Sequence, residues 1–106
     1  MSAVGGFVAV LVIELHFPDA GSLKAKRKEL SSIKTQLHGR LGAAVSDTGH
    51  QDLWQRATLT ASLTGGSLRR LAAAADELER WVIARWPAGA TVERLLASVE
   101  DLRGIG

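Results

Sequence analysis

Apolar residues alternate with a period of two in some stretches of this chain and recur at helical spacing in others. Residues 7–17 are rich in β-branched side chains and end at a Pro-Asp-Ala-Gly turn, so they predict a first strand. Residues 41–47 predict a weaker second strand, and residues 56–64 alternate cleanly as a third. Residues 91–102 predict a closing strand. Its expected core-facing residues are Leu95, Ala97 and Val99.

Two helical stretches each follow a serine that can cap a helix. Ser22 precedes a predicted helix over residues 23–40. Ser67 precedes a second helix that runs to about Arg85 and is stopped by Pro87. The apolar stripe of the first helix consists of Leu23, Leu30, Ile33, Leu37 and Leu41. The stripe of the second consists of Leu68, Leu71, Ala75, Leu78, Val82 and Trp86.

The resulting order is β-α-β-β-α-β, which is typical of an α+β ferredoxin-like sandwich. This fold has a four-stranded antiparallel sheet with two helices on one face, and its first and third strands are central. A chain of 106 residues has room for one core. We therefore expect a single domain over residues 1–106, with an ordered core at about residues 5–102.

The open face of this predicted sheet is more apolar than a solvated surface and has smaller side chains than a core. Its expected residues are Val8, Val10, Val12, Thr58, Thr60, Ser62, Leu96 and Ala44. Exposed apolar patches of this kind usually mark interfaces, which predicts a homodimer or another protein partner. The alternative is a tolerated surface of valines and threonines, because exposed apolar atoms are common.

The net charge is only +2, but the basic residues are concentrated in the first helix, where residues 24–40 contain a single acid, Glu29. Several of them stand in the first turn, where the helix dipole disfavours cations and favours an anion such as a phosphate. The alternative is a solvated helix whose lysine stems cover the surface. The candidate nucleic-acid contacts are Lys24, Lys26, Arg27, Lys28 and Lys34.

The stretch HQDLWQRATL, residues 50–59, has the greatest density of chemically distinct groups. Its polar cluster consists of His50, Gln51, Asp52, Trp54, Gln55 and Arg56. We expect Trp54 to pack at one end of the sheet, with its indole N–H seeking a partner. His50 and Asp52 could act as an acid–base pair in a pocket, although the chain has no Gly-x-Ser-x-Gly elbow to supply a nucleophile.

The sequence contains no motif typical of a metal site, a cofactor site or a membrane span. The three histidines match no metal-binding spacing and there are no cysteines, so we predict no metal site and no cofactor. The longest apolar run, residues 7–13, is too short to span a bilayer, and residues 1–13 lack the basic residues of a signal peptide. We therefore expect a cytoplasmic protein that has no membrane partner.

Three stretches of the chain resemble the YlxP-like family of small bacterial proteins of unknown function. They are IELHFPDAGSLKAKR, residues 13–27, then HQDLWQRATL, and, more weakly, the second helix followed by the closing strand; the resemblance extends over roughly residues 4–100. It implies a ferredoxin-like sandwich and no established catalytic activity. Members of that family are typically encoded near translation factors and a ribosome-binding factor, which implies a role around RNA or ribosome maturation. The chain departs from the family in its Ala- and Gly-rich second strand and Ala-rich second helix.

Three functions follow as hypotheses. The first is a non-enzymatic binding protein that meets RNA or the ribosome through its basic first helix. The second is a protein–protein adaptor or homodimer that uses the open sheet face. The third is a small enzyme that uses His50 and Asp52.

Overall fold

The computed structural model describes residues 5–87 and 89–105, so residues 1–4, 88 and 106 of the predicted domain lie outside the described residues. The elements follow one another as β1 Phe7–His16, α1 Leu23–Leu41, β2 Ala44–Gly49, β3 Arg56–Gly65, α2 Leu68–Arg85, β4 Ala90–Ser98 and α3 Val99–Arg103. The predicted β-α-β-β-α-β order is confirmed, and α3 is an addition to it.

The four strands form one antiparallel sheet in the order β2-β3-β1-β4. The central pair, β1 and β3, is in register from Phe7 opposite Gly65 to His16 opposite Arg56. Because α1 follows the His16 end of β1 and α2 follows the Gly65 end of β3, the two helices begin at opposite ends of the sheet. This is the arrangement of a ferredoxin-like sandwich.

The core lies between the sheet and the two long helices. One face of the central strands buries the alternating residues Ala9, Leu11, Ile13, Leu15, Ala57, Leu59, Ala61 and Leu63. The helices contribute the buried residues Leu30, Ile33, Leu37, Leu71, Ala75, Leu78 and Val82. These residues recur at the spacings expected for one face of a strand and one stripe of a helix.

The chain enters β2 later than its pattern predicts. Helix α1 continues to Leu41, and Gly42 ends it in the left-handed conformation, with φ of 69° and its N–H bonded to carbonyls of the last turn. Glycine takes that conformation without steric cost. Strand β2 therefore begins at Ala44, and it carries an irregularity in register between Asp47 and Gly49.

The predicted faces of β4 are wrong by one residue. Leu96 lies opposite the core residue Ala9 and so shares its face, whereas Leu95 lies opposite Val10 on the open face and is 52% exposed. The helix-facing side of β4 also carries Arg94, whose guanidinium lies 2.7 Å from Asp76 and 3.3 Å from Glu79 of α2. These two ion pairs allow a charged residue on a side where alternation alone favours an apolar one.

The predicted closing strand is also too long. Ser98 accepts a hydrogen bond from the Asp101 backbone N–H, and the Asp101 carboxylate accepts one from the Ser98 backbone N–H. This reciprocal capping box begins α3, so Val99 belongs to a helix and not to the core-facing side of a strand. Along the described residues, no helix combines the length and the apolar character needed to cross a membrane.

Candidate functional site

Four basic side chains lie together on one side of α1. Lys24, Arg27 and Lys28 are exposed and Lys34 is half-buried. At 3.6 residues per turn, the four positions fall within an arc of about 120° that excludes the buried stripe. We call these four residues the cationic surface.

The cationic surface is not neutralised by the protein's own acids. Across residues 5–87 and 89–105, none of its four side chains has a carboxylate oxygen within 4.0 Å. The single acid of α1, Glu29, instead lies 3.5 Å from Arg85 of α2. The charges of the cationic surface are therefore available to an external anion.

Lys26 does not belong to this surface, which corrects the predicted set of five phosphate contacts. Its side chain is 1% exposed because position 26 falls on the same helical stripe as Leu30, Ile33 and Leu37. The Nζ atom donates hydrogen bonds to the backbone carbonyls of His50, at 2.6 Å, and Leu53, at 2.5 Å. Lys26 thus attaches α1 to the connection between β2 and β3.

That connection, residues 50–55, is held from several directions, and we call it the anchored loop. His50 adopts a left-handed conformation with φ of 56°, and its carbonyl also accepts a hydrogen bond from the Leu53 N–H at 3.1 Å. The Gln55 carbonyl accepts a hydrogen bond from the Phe17 N–H at 2.8 Å. These contacts bring together residues 13–27 and 50–59, two of the three stretches that carry the family resemblance.

The polar cluster predicted for this segment lies on the surface. All six of its members are exposed: His50, Gln51, Asp52, Trp54, Gln55 and Arg56. The prediction that Trp54 packs at one end of the sheet is wrong, because the residue is 52% exposed. Leu53, which the sequence pattern did not single out, is 47% exposed beside it. Residues 52–56 line a shallow depression of about 400 Å³.

The other two tryptophans pack against the body of the protein, and Trp86 does so as its position on the apolar stripe of α2 predicts. The Trp86 ring meets Phe17 edge-on at a centroid distance of 6.3 Å and Trp81 at 6.4 Å. The Arg85 guanidinium lies 5.0 Å from the centre of the Trp86 ring. This cluster covers the core at the same end of β1 from which α1 begins.

The groups considered for catalysis are not assembled into a pair. In the part of the chain that the structure describes, no hydrogen bond joins the side chains of His50 and Asp52, and no group of three or more metal-ligating side chains occurs. One oxygen of the nearby Asp47 carboxylate, Oδ1, is buried and has no hydrogen-bond partner among the described residues. His50 and Asp52 are therefore exposed polar groups whose side chains are not hydrogen-bonded to each other in the described residues.

Comparison with known proteins identifies the family of the chain. A family model described as "Protein of unknown function (DUF503)" matches residues 8–101. The chain belongs to this family. The "Uncharacterized protein YlxP" of Bacillus subtilis (strain 168) is 47% identical to it over 38 residues, which are 36% of this chain and 41% of that relative. The match thus spans less than half of the relative's length. The resemblance to the YlxP-like family is confirmed, and the family description assigns no activity to DUF503 proteins.

Proposed function

We propose that this protein is a non-enzymatic binding protein of the cytoplasm that binds RNA through the cationic surface of α1, in connection with ribosome maturation. The supporting observation is that Lys24, Arg27, Lys28 and Lys34 share one side of the helix with no carboxylate within 4.0 Å in the described residues. Basic side chains that neutralise phosphates release counterions, and this release supplies much of the affinity for nucleic acids.

The open sheet face is a weaker candidate for this role. RNA-recognition domains of similar topology stack bases on aromatic side chains of their central strands. Here the open face of β1 presents Val8, Val10 and Val12, and β3 contains no aromatic residue. Contact through phosphates, which needs only basic side chains and helix geometry, fits the chain better.

The test compares two triple variants that lower the net charge by the same amount. Lys24→Glu/Arg27→Glu/Lys28→Glu reverses the cationic surface, whereas Arg69→Glu/Arg70→Glu/Arg80→Glu reverses three exposed arginines of α2. Binding of a fluorescently labelled RNA hairpin with a single-stranded tail is measured by anisotropy at several salt concentrations. The first variant should still fold, because acids in the first turn of a helix interact favourably with its dipole.

We expect the α1 variant to lose binding and the α2 variant to retain it. Each lost phosphate contact lowers the slope of log affinity against log salt by about 0.7–0.9, so the loss of three contacts should lower the slope of the α1 variant by about two to three units. Equal losses in both variants would show that only net charge matters. Binding that ignores both salt and the α1 variant would refute the proposal.

A second candidate is self-association or docking of a protein partner through the open sheet face. It is favoured by Leu95, which is 52% exposed opposite Val10 on that face. Large exposed apolar residues beside other apolar residues are typical of protein interfaces.

Val10→Glu tests this candidate, with Ala73→Glu on the exposed side of α2 as the matched control. A charge in the middle of an apolar interface should dissociate a dimer, because burying an unpaired carboxylate is costly. Size-exclusion chromatography with light scattering should then show a halved mass for Val10→Glu alone. An unchanged mass in both variants would count against self-association.

A further inference from the structure

We propose that the anchored loop binds an unpaired RNA base, which stacks on the indole of Trp54. This inference rests on the proposed function and specifies it, because it names single-stranded RNA as the preferred ligand. Trp54 is 52% exposed and Leu53 beside it is 47% exposed, whereas Trp86 packs against Phe17 and Trp81. Trp54 therefore presents a large apolar ring that the fold covers only in part.

The backbone on both sides of this ring is fixed. The carbonyl before Trp54, that of Leu53, accepts a hydrogen bond from the buried Lys26, and the carbonyl after it, that of Gln55, accepts one from the Phe17 N–H. Ordering a loop on binding weakens affinity, so a loop that is already held in place is suited to recognition. The two bonds join the loop to α1 and to the end of β1.

The chemistry around the ring fits a base better than a phosphate. The depression over residues 52–56 combines the indole with an amide, a guanidinium and the carboxylate of Asp52. Amide, guanidinium and carboxylate groups can bond to base edges, whereas a carboxylate repels a phosphate. Bases stack on exposed aromatic rings when they are not held in a duplex.

The neighbouring charge favours a nucleic acid as the occupant. Lys24, Arg27 and Lys28 lie within two residues of Lys26, which contacts the loop, so their backbone positions are within about 3 Å of Lys26 along the helix axis. The four positions of the cationic surface lie about 80–160° around the helix from Lys26, so a strand that contacts them has to pass around the first turns of α1 to reach the anchored loop, where Arg56 lines the depression beside Trp54. An acidic protein partner is the competing occupant.

The experiment uses the full chain, an oligouridine and a blunt RNA duplex of the same length. Trp54→Ala removes the ring, Trp54→Phe keeps an aromatic face, and Ile83→Ala removes a large exposed apolar residue of α2 as the control. We expect Trp54→Ala to weaken oligouridine binding about tenfold, with Trp54→Phe and Ile83→Ala close to the parent protein. Duplex binding should be the same in all four proteins.

Intrinsic fluorescence gives a second readout. Oligouridine should quench the emission of the parent protein, and Trp54→Phe should lose that quenching while it still binds, because Trp81 and Trp86 are partly buried and pack against each other and, for Trp86, against Phe17. Equal oligouridine affinity for Trp54→Ala and the parent would overturn the stacking proposal. Loss of self-association by Trp54→Ala with unchanged RNA binding would also overturn it, because it would place Trp54 in a protein interface.

Failure of stacking and failure of the proposed function are distinguishable. If the α1 charge-reversal variant loses both RNAs while Trp54→Ala loses neither, the cationic surface stands and only stacking is refuted. If the α1 variant binds both RNAs normally, the proposed function is refuted whatever Trp54 does.

Discussion

The first turns of α1 and α2 look alike and yet have different surroundings. Each helix is capped by a serine whose hydroxyl accepts a backbone hydrogen bond, from Ala25 at 3.0 Å and from Arg70 at 3.3 Å. Neither helix has an acid in its first turn, and both have basic residues there. A basic helix start is therefore not in itself a sign of a binding site.

The difference lies in the rest of each helix. Helix α2 carries the acids Asp76 and Glu79, and these bind Arg94 of the adjacent strand. Helix α1 has only Glu29, which pairs with Arg85 of α2, and it directs one lysine inward to hold a loop. In α2, two acids pair with Arg94 and so help the helix to pack against β4. In α1, Lys26 holds the anchored loop, and the cationic surface has no carboxylate within 4.0 Å among the described residues.

The largest expected effect concerns the internal lysine. Lys26→Met should lower the free energy of unfolding by about 3 kcal/mol, because a buried ammonium and its two partly buried hydrogen bonds to backbone carbonyls are lost. Lys28→Met, an exposed change on the same helix, should lie within about 0.5 kcal/mol of the parent protein. Denaturant unfolding measures both. Equal stabilities would mean that Lys26 does not hold the loop in solution.

A smaller effect is expected for the ion pairs on the α2 side. Arg94→Met should cost about 1 kcal/mol, because Arg94 is partly buried while Asp76 and Glu79 remain substantially exposed. Arg80→Met is the control, since Arg80 has no carboxylate within 4.0 Å among the described residues. The difference should shrink at high salt. A cost that salt leaves unchanged would point to lost packing of the arginine stem instead.

The smallest effect on stability is expected in α3, which differs from both long helices in having acids in its first turn. The hydrogen bond from the Ser98 backbone N–H, followed by one with its hydroxyl, lowers the pKa of Asp101 from its ordinary 3.8. The ionised form is thus favoured on folding, so its small contribution to stability is present above pH 3.8 and is lost as the pH falls through the folded-state value. Asp101→Asn should remove this acid dependence.

Titration of the Asp101 carboxyl by NMR is the direct measurement. Ser98→Ala should bring the pKa back toward 3.8, because it removes the hydroxyl partner and leaves the backbone donor. An unchanged pKa in Ser98→Ala would assign the whole shift to the backbone N–H.

Much of the fold could be predicted from the sequence because its strongest patterns are local. The alternation in β1 and β3 and the stripes of α1 and α2 predicted their elements and core faces. The adjacent Leu95 and Leu96 make β4 ambiguous, because either phase of a period of two puts one leucine inward. The inward position of Arg94 depends on acids in another element, which no local pattern shows. The start of α3 had a readable signal, the Ser-x-x-Asp spacing of residues 98–101.

The candidate site was predicted less completely. Lys26 was predicted as a phosphate contact, although its spacing from Leu30 and Ile33 matches the buried stripe, because its burial requires two carbonyls that are more than twenty residues away in the chain. Those acceptors depend on the turn that His50 makes, and a histidine with positive φ is not evident from sequence. Trp54 lies in the same loop, and its exposure was not predicted either.

The hydrogen bonds from Lys26 also affect the conformation that the β2–β3 hairpin can keep as an isolated peptide. A peptide of residues 44–65 would contain β2, β3 and the whole connection between them, but not the amine that fixes two of its carbonyls. Such a peptide would leave the backbone around Trp54 free to move. Transplanting this segment to another scaffold, or imitating it with a cyclic compound, therefore requires a donor in place of the first turns of α1.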